Sequence, residues 1–214
     1  LYAKKHQGSF FLRIEDTDKE RSKDIFTNQI LDSLKWLGLD WDEPLVYQSG
    51  RMDRYKYYLN KLLDENKAYR CFCSKSDVEN YKKDSYALYP GTCRNLTSEE
   101  VKSKLNQGIS FTIRIKLEEG ITAFDDLVYG AINTNNKELD DFIIARSDGS
   151  PTYNFTVVVD DFEMEISHVI RGDDHLSNTP KQLILYESLE LNPPMFAHLP
   201  MILGPDKKRL SKRH

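Results

Sequence analysis

Twice in this chain a short apolar run ends abruptly in charge. Phe10-Phe11-Leu12-Arg13-Ile14 stops at Glu15-Asp16-Thr17-Asp18, and Ser167-His168-Val169-Ile170-Arg171 stops at Gly172-Asp173-Asp174-His175. Each run reads as a buried strand. After the first, Ile25, Ile30, Leu31, Leu34 and Leu37 recur at helical spacing from position 23 onward, with Gly38 where a C-terminal cap belongs. A second amphipathic helix is expected over 51–66, with Tyr55, Tyr58, Leu59, Leu62 and Leu63 on one face. After the second run a helix is expected over 179–189, its start marked by Pro180 in the first turn, where a missing amide hydrogen costs nothing. Strands feeding helices in this way open an α/β unit. In open α/β sheets ligands collect at the carboxyl ends of the strands, which is where Glu15 and Arg171 stand.

The middle of the chain is built differently. Near Ala68 the cysteines appear, Cys71, Cys73 and Cys93, and Tyr89-Pro90-Gly91-Thr92 interrupts any regular pattern. Phe111-Thr112-Ile113-Arg114-Ile115 alternates and reads as a half-exposed strand, with further strands expected over 125–132 and 141–146. Short strands at such intervals suggest an inserted α+β module, closed by the turn Ser147-Asp148-Gly149-Ser150-Pro151.

Composition narrows the class of protein. With 39% hydrophobic residues, 214 residues can bury a real core, in one domain or two small ones. The 30 basic residues against 34 acidic ones advertise no polyanion partner globally, although local patches decide that question. Three cysteines suit a reducing cytoplasm better than a disulfide framework. No apolar stretch approaches the roughly 18 to 20 residues that span a bilayer, and the charged opening does not read as a signal peptide.

Several side chains carry possible chemistry. A carboxylate at position 15 can accept charge-assisted hydrogen bonds from a substrate ammonium group. Arg171 offers a planar fork that matches two carboxylate oxygens; spacing alone favours an internal ion pair with Asp173 or Asp174. His168, His175 and His198 have no metal-ligand spacing to one another and read as hydrogen-bonded structural histidines. Near the end, Lys207, Lys208, Arg209, Lys212 and Arg213 follow a Gly-Pro turn. Such a cluster suits a transferring phosphate, or is a solvated basic tail.

Taken in order, Phe11-Leu12-Arg13-Ile14-Glu15-Asp16-Thr17-Asp18, Pro151-Thr152-Tyr153-Asn154-Phe155, Val158-Val159-Asp160-Asp161 and His168-Val169-Ile170-Arg171-Gly172-Asp173-Asp174-His175-Leu176 resemble the internal motifs of class I aminoacyl-tRNA synthetases, specifically of the bacterial-type glutamyl-tRNA synthetases. Arg209-Leu210-Ser211-Lys212-Arg213 resembles that class's second signature, with arginine in place of its first lysine. The resemblance implies that Glu15 binds the glutamate ammonium, Tyr153 lines the amino-acid pocket and Arg171 grips the side-chain carboxylate. It implies that Lys212 contacts the ATP phosphates as the catalytic lysine, with Asp174, His175 and Arg209 also on the ATP side. The family's first signature is expected upstream of Leu1 and its anticodon-binding region downstream of His214, so the chain reads as a catalytic-core fragment.

Cys71-Phe72-Cys73 has a Cys-x-Cys spacing, weaker evidence for zinc than paired Cys-x-x-Cys hairpins, and three thiolates still want a fourth ligand. Some members of the resembled family carry zinc on three cysteines and a tyrosine four residues before the last; Tyr89 stands four before Cys93. Others use a histidine two residues after it, where this chain has Asn95. A structural zinc on Cys71, Cys73, Tyr89 and Cys93, and a set of unligated thiols, both remain open.

The fold implied is a doubly wound Rossmann-type α/β domain, its first half over 1–68 without its first strand and its second half over 151–214 through the basic loop. Residues 69–150 are expected to form the inserted acceptor-stem-binding subdomain. The reaction implied is ATP-dependent ligation of L-glutamate to tRNA(Glu) through a glutamyl-adenylate, with Mg2+, by a cytoplasmic monomer with no membrane partner. Two alternatives stand beside it: a shortened paralogue that glutamylates a modified base of tRNA(Asp), and a non-enzymatic fragment that only docks an acceptor stem.

Overall fold

A computed structural model of the chain describes residues 1–17, 24–84 and 89–204. The chain forms two compact units, Leu1–Lys56 and Tyr57–His214.

In the first unit a short helix α1 (Tyr2–Lys5) precedes strand β1 (Arg13–Ile14), which pairs in parallel with β2 (Val46–Tyr47). Helix α2 (Asp24–Trp36) lies between them in sequence, making a β-α-β unit. The apolar run from Phe10 yields a ladder of only two residues; the rest is held irregularly, with the Asp42 amide donating to the Phe10 carbonyl at 3.0 Å and the Phe10 amide to an Asp42 carboxylate oxygen at 2.7 Å. The helix ends where the glycine predicts: Gly38 adopts φ +68°, and the Leu39 amide returns to the Leu34 carbonyl at 2.9 Å. The expected buried stripe does not form, because Ile25, Ile30 and Leu37 are all exposed. Among the described residues of this unit only Gln48 and Tyr55 are buried, too few to enclose a helix face.

Helix α3 (Met52–Asp64) follows a 3-10 turn over Gln48–Arg51, and in the second unit it buries Tyr58, Leu59 and Leu62, as its spacing requires. Strand β3 (Ala68–Cys71) comes next, then helices α4 (Lys75–Asp84) and α5 (Ser98–Asn106). A capping box starts α5: the Glu100 amide donates to the Thr97 hydroxyl and the Thr97 amide to the Glu100 carboxylate. Strand β4 (Thr112–Ile115) pairs antiparallel with β3 and with β7 (Ile143–Ala145). Its alternation does not place Arg114 in solvent, for that side chain is buried.

The strand expected over 125–132 is instead a hairpin, β5 (Ile121–Asp126) and β6 (Gly130–Asn135). Its turn is made by Asp126, whose carboxylate accepts from the Val128 and Tyr129 amides at 3.0 Å each, and by Gly130 at φ +74°. After helix α6 (Tyr153–Glu163) come β8 (His168–Gly172), helix α7 (Thr179–Ser188) with proline in its first turn, and β9 (Met195–Leu199). β8 and β9 are parallel neighbours, and β5 joins the other side of β9, giving the order β6-β5-β9-β8. The core gathers Phe155, Val157, Val158 and Val159 from α6, Ile184, Leu185 and Tyr186 from α7, and Phe196 and Ala197 from β9. Parallel strands joined through a helix make this a Rossmann-type α/β fold, accompanied by the antiparallel sheet β3-β4-β7.

Candidate active site and metal cluster

Arg171 stands one residue before the end of β8, beside His198 in the register with β9. Its Nε donates to His198 Nε2 at 3.1 Å; its Nη2 donates to Thr179 Oγ1 at 2.8 Å and Gln182 Oε1 at 2.9 Å. Thr179 and Gln182 are fixed because the proline-led start of α7 sets them one turn apart, both buried. No carboxylate among the described residues pairs with Arg171. The ion pair with Asp173 or Asp174 that spacing allowed does not form; Asp173 instead accepts from the Tyr129 hydroxyl at 2.9 Å.

The same network reaches the other expected pocket residue. Gln182 Nε2 donates to Asn154 Oδ1 at 3.1 Å, and Asn154 follows Tyr153 in the first turn of α6. Tyr153 is partly exposed, its hydroxyl 3.4 Å from His175 Nδ1. His175 lies in the 3-10 segment Asp173–Asn178 directly after β8, together with the exposed Asp174. So Tyr153, His175 and Arg171 are brought together, while Lys212 and Arg209 lie outside the described residues. In the first unit Glu15 is exposed and accepts from Arg13 Nη2 at 3.3 Å, an ion pair of small energetic weight. Its neighbour Asp16 is used structurally, accepting from the Ser49 amide at 2.8 Å and hydroxyl at 2.5 Å.

Sequence reasoning read His198 as a hydrogen-bonded structural histidine, as it proves to be, but missed that its partners are Asp126 and Arg171. His198 is fully buried, its Nδ1 2.6 Å from Asp126 Oδ2, and its amide also reaches that carboxylate. Burial pushes the Asp126 carboxyl up, but hydrogen bonds from His198 and from the Tyr129, Val128 and His198 amides outweigh it and hold it at about 2. A signal was available: a histidine inside Phe196-Ala197-His198-Leu199 is a buried polar group that must find partners.

The second constellation sits at the end of β3. The sulfurs of Cys71, Cys73 and Cys93 lie within 4.8 Å of one another. Cys73 and Cys93 are 3.7 Å apart, far beyond a disulfide bond, and all three thiols are free. The Tyr89 oxygen closes the set at 3.2 Å from Cys71 and 3.6 Å from Cys73. Tyr89 is held from behind by the buried Arg114 guanidinium, 3.8 Å from its ring centre, and Arg114 is itself tied to the Asp141 carbonyl at 2.6 Å. Asp141 in turn accepts from Tyr69, Arg94 and the Leu117 amide at 2.7 to 2.9 Å. Burial raises the Cys71 thiol, yet hydrogen bonds with Tyr89, the Cys73 backbone and Arg114 leave it below its ordinary value; burial pushes Cys73 up to about 11. Four donors from the protein, in a packed pocket with Phe72, Val78 and Leu96, could hold one soft cation.

Comparison with known proteins agrees with this geometry. Residues 1–214 match the family described as tRNA synthetases class I (E and Q), catalytic domain. The glutamate–tRNA ligase of Coprothermobacter proteolyticus is 54% identical over 221 residues, which cover 100% of this chain and 47% of that protein. That of Legionella pneumophila is 52% identical over 220 residues, with 100% and 46% covered. The crystal structure of a glutamate tRNA ligase from Elizabethkingia meningosepticum in complex with its amino acid superposes with a TM-score of 0.90 at 35% identity, covering 99% of this chain and 47% of that one. The chain spans about half the length of the curated relatives it matches. Motifs, fold and relatives converge: the chain belongs to the class I tRNA synthetase family of the glutamate and glutamine enzymes and matches its catalytic domain over all 214 residues.

Proposed function

We propose that the protein containing this chain uses ATP to ligate L-glutamate to tRNA(Glu). One observation carries the reading: Arg171 sits at the carboxyl end of a parallel strand, held at Nε and Nη2 by neutral acceptors, with its charge unmatched among the described residues. A half-buried guanidinium kept in that state selects a carboxylate, and it disfavours glutamine, whose amide would set donors against a donor.

On this reading Arg171 takes the side-chain carboxylate, Tyr153 lines the pocket and Glu15 accepts from the substrate ammonium. The α-carboxylate attacks the α-phosphorus of ATP, pyrophosphate leaves, and the terminal ribose hydroxyl of tRNA then attacks the glutamyl carbonyl and expels AMP. No side chain acts as nucleophile; the residues position reactants and stabilise phosphate charge. Lys212, Arg209, His175 and Asp174 are assigned to ATP. Magnesium, carried on the ATP phosphates, supplies further neutralisation. Residues 69–150 are assigned to the acceptor stem, with a structural zinc on Cys71, Cys73, Tyr89 and Cys93. Three free thiols suit a reducing compartment, and we place the enzyme, as a monomer, in the cytoplasm.

The test is aminoacylation by the intact protein with ATP, Mg2+, tRNA(Glu) and either labelled glutamate or glutamine. Glutamate should be charged and glutamine rejected. Because removing one partner of a buried charge pair costs about 2 to 5 kcal/mol, Arg171→Ala should lower kcat/KM for glutamate by well over tenfold. Absence of charging by the wild type would overturn the function, and an unchanged glutamate KM in Arg171→Ala would overturn the role of Arg171.

A further inference from the structure

Asp126 and His198 form a dyad behind Arg171. Asp126 and His198 both have fully buried side chains, and their 2.6 Å contact involves Nδ1. The other ring nitrogen, Nε2, lies 3.1 Å from Arg171 Nε, and an arginine N–H can only donate. Nε2 therefore offers a lone pair, and the imidazole proton rests on Nδ1, where it is donated to Asp126. Thr179 Oγ1, which accepts from Arg171 Nη2, is also 3.2 Å from Nε2, so its own hydrogen is free to turn the same way. Two of the three guanidinium nitrogens are thus held by neutral acceptors, while Nη1 donates to nothing among the described residues. A carboxylate placed directly against Arg171 would also have fixed it, but would have occupied the fork that a ligand carboxylate needs.

We propose that His198, locked in its Nδ1–H tautomer by Asp126, is the positioning residue that aims Arg171 at the substrate side-chain carboxylate. This rests on the reading of Arg171 as the carboxylate anchor. Its consequence is an ordering of variants that a merely structural histidine would not show. His198→Asn keeps a donor for Asp126 through its amide but has no acceptor that reaches Arg171. His198→Gln can present its amide oxygen to Arg171 while leaving Asp126 without its side-chain donor, a buried carboxylate short of a partner. Asp126→Asn keeps an oxygen for the turn amides but sets an NH2 against Nδ1, which moves the ring proton to Nε2 and against the Arg171 N–H.

The experiment measures glutamate KM, ATP KM, kcat and melting temperature in the intact protein, with the imidazole tautomer read from 15N NMR of labelled histidine. His198→Asn and Asp126→Asn should raise glutamate KM about tenfold or more, the scale of a lost hydrogen bond to a charged group, with ATP KM little changed. His198→Gln should melt lowest of the three yet keep the smallest rise in glutamate KM. In the Arg171→Ala background the His198 changes should add almost nothing to glutamate KM, because they act through that side chain. Additive losses in that background, or a glutamate KM that simply follows melting temperature, would overturn the proposal. If Arg171→Ala itself left glutamate KM unchanged, the anchor reading would fail first, and that outcome is distinct from Arg171→Ala losing glutamate while the His198 variants do not. A wild-type spectrum showing the Nε2–H tautomer would overturn the proposal without reference to kinetics.

Discussion

Replacing Cys93 by serine tests the candidate metal site directly. Zinc–sulfur bonds of about 2.3 Å in a tetrahedron set sulfur–sulfur edges of about 3.8 Å, and a shorter zinc–oxygen bond sets mixed edges of about 3.5 Å. The structure has 3.7 Å between Cys73 and Cys93, and 3.2 and 3.6 Å from the Tyr89 oxygen to Cys71 and Cys73. These three edges match zinc spacing within a few tenths of an ångström, and the three sulfurs all lie within 4.8 Å of one another; a zinc on all four donors would leave no position for a catalytic water. At free zinc 100-fold above its dissociation constant, binding to the folded state alone adds about 2.7 kcal/mol of stability. For a chain of this size that corresponds to a melting shift of about 5 to 10 °C. Elemental analysis of tag-free protein prepared without chelator should find one zinc per chain, and chelator should lower the wild-type melting temperature by that shift but leave Cys93→Ser unmoved. Tyr89→Phe keeps the ring beneath the Arg114 guanidinium and removes only the oxygen, so it should weaken zinc retention without collapsing the packing. Zinc well below half-stoichiometric, or a wild-type melt indifferent to chelator, would refute the reasoning and favour free thiols.

Two further outcomes follow from the second unit. A Cβ on Gly172 would lie 2.6 Å from Asp174 Oδ1, while the backbone there has an ordinary φ of −67°; Gly172→Ala should thus move stability by no more than about 0.5 kcal/mol but displace Asp174, read as a raised ATP KM in pyrophosphate exchange that Asp174→Ala reproduces and the double variant does not deepen. Asp126, held at about 2 against an ordinary 3.8 in the company of His198, Arg171, Tyr129 and Asp173, contributes stability that is complete above the higher value and lost as pH falls through the lower. Thermal melts of the wild type and Asp126→Asn should accordingly be furthest apart above about pH 4 and draw together toward pH 2, and a gap that stayed constant would contradict the assignment.

How much of this was legible in the sequence depended on whether a residue's partners were local. Gly38, Pro180 and the strand ends at Ile14 and just past Arg171 could be read because caps, first turns and strand termini are set within a few residues. The cysteine set could be read because a ligand spacing is a short-range pattern, although Arg114 behind it, two strands from Asp141 in sequence, could not. The hairpin 121–135 was misread as one strand because Asp125-Asp126-Leu127-Val128-Tyr129 is apolar enough to continue a strand, and only the Asp126 carboxylate, capturing two amides, reverses it. The stripe on α2 was misread because periodicity says which residues share a face, not whether anything covers them. Asp126 and His198 are 72 positions apart, and no window-based reading joins them.

That separation explains why the motif around Arg171 was ambiguous in sequence and is not in the structure. Spacing placed two aspartates within three residues of Arg171, and in water the nearest opposite charge is the natural partner. The 3-10 turn after β8 carries Asp173 and Asp174 elsewhere, and the buried positions beside the guanidinium are filled from β9 and α7 by an imidazole, a hydroxyl and an amide. A carboxylate about 4 Å away would attract the arginine by about 4 kcal/mol at an effective dielectric of 20, and an incoming substrate would have to compete with it. Asp126 is instead farther off by the width of a ring, so its pull on Arg171 is weaker in proportion, while its effect on the ring proton is undiminished. Among the described residues Arg171 Nη1 has no acceptor, and on the proposed reading that is the position a substrate carboxylate fills.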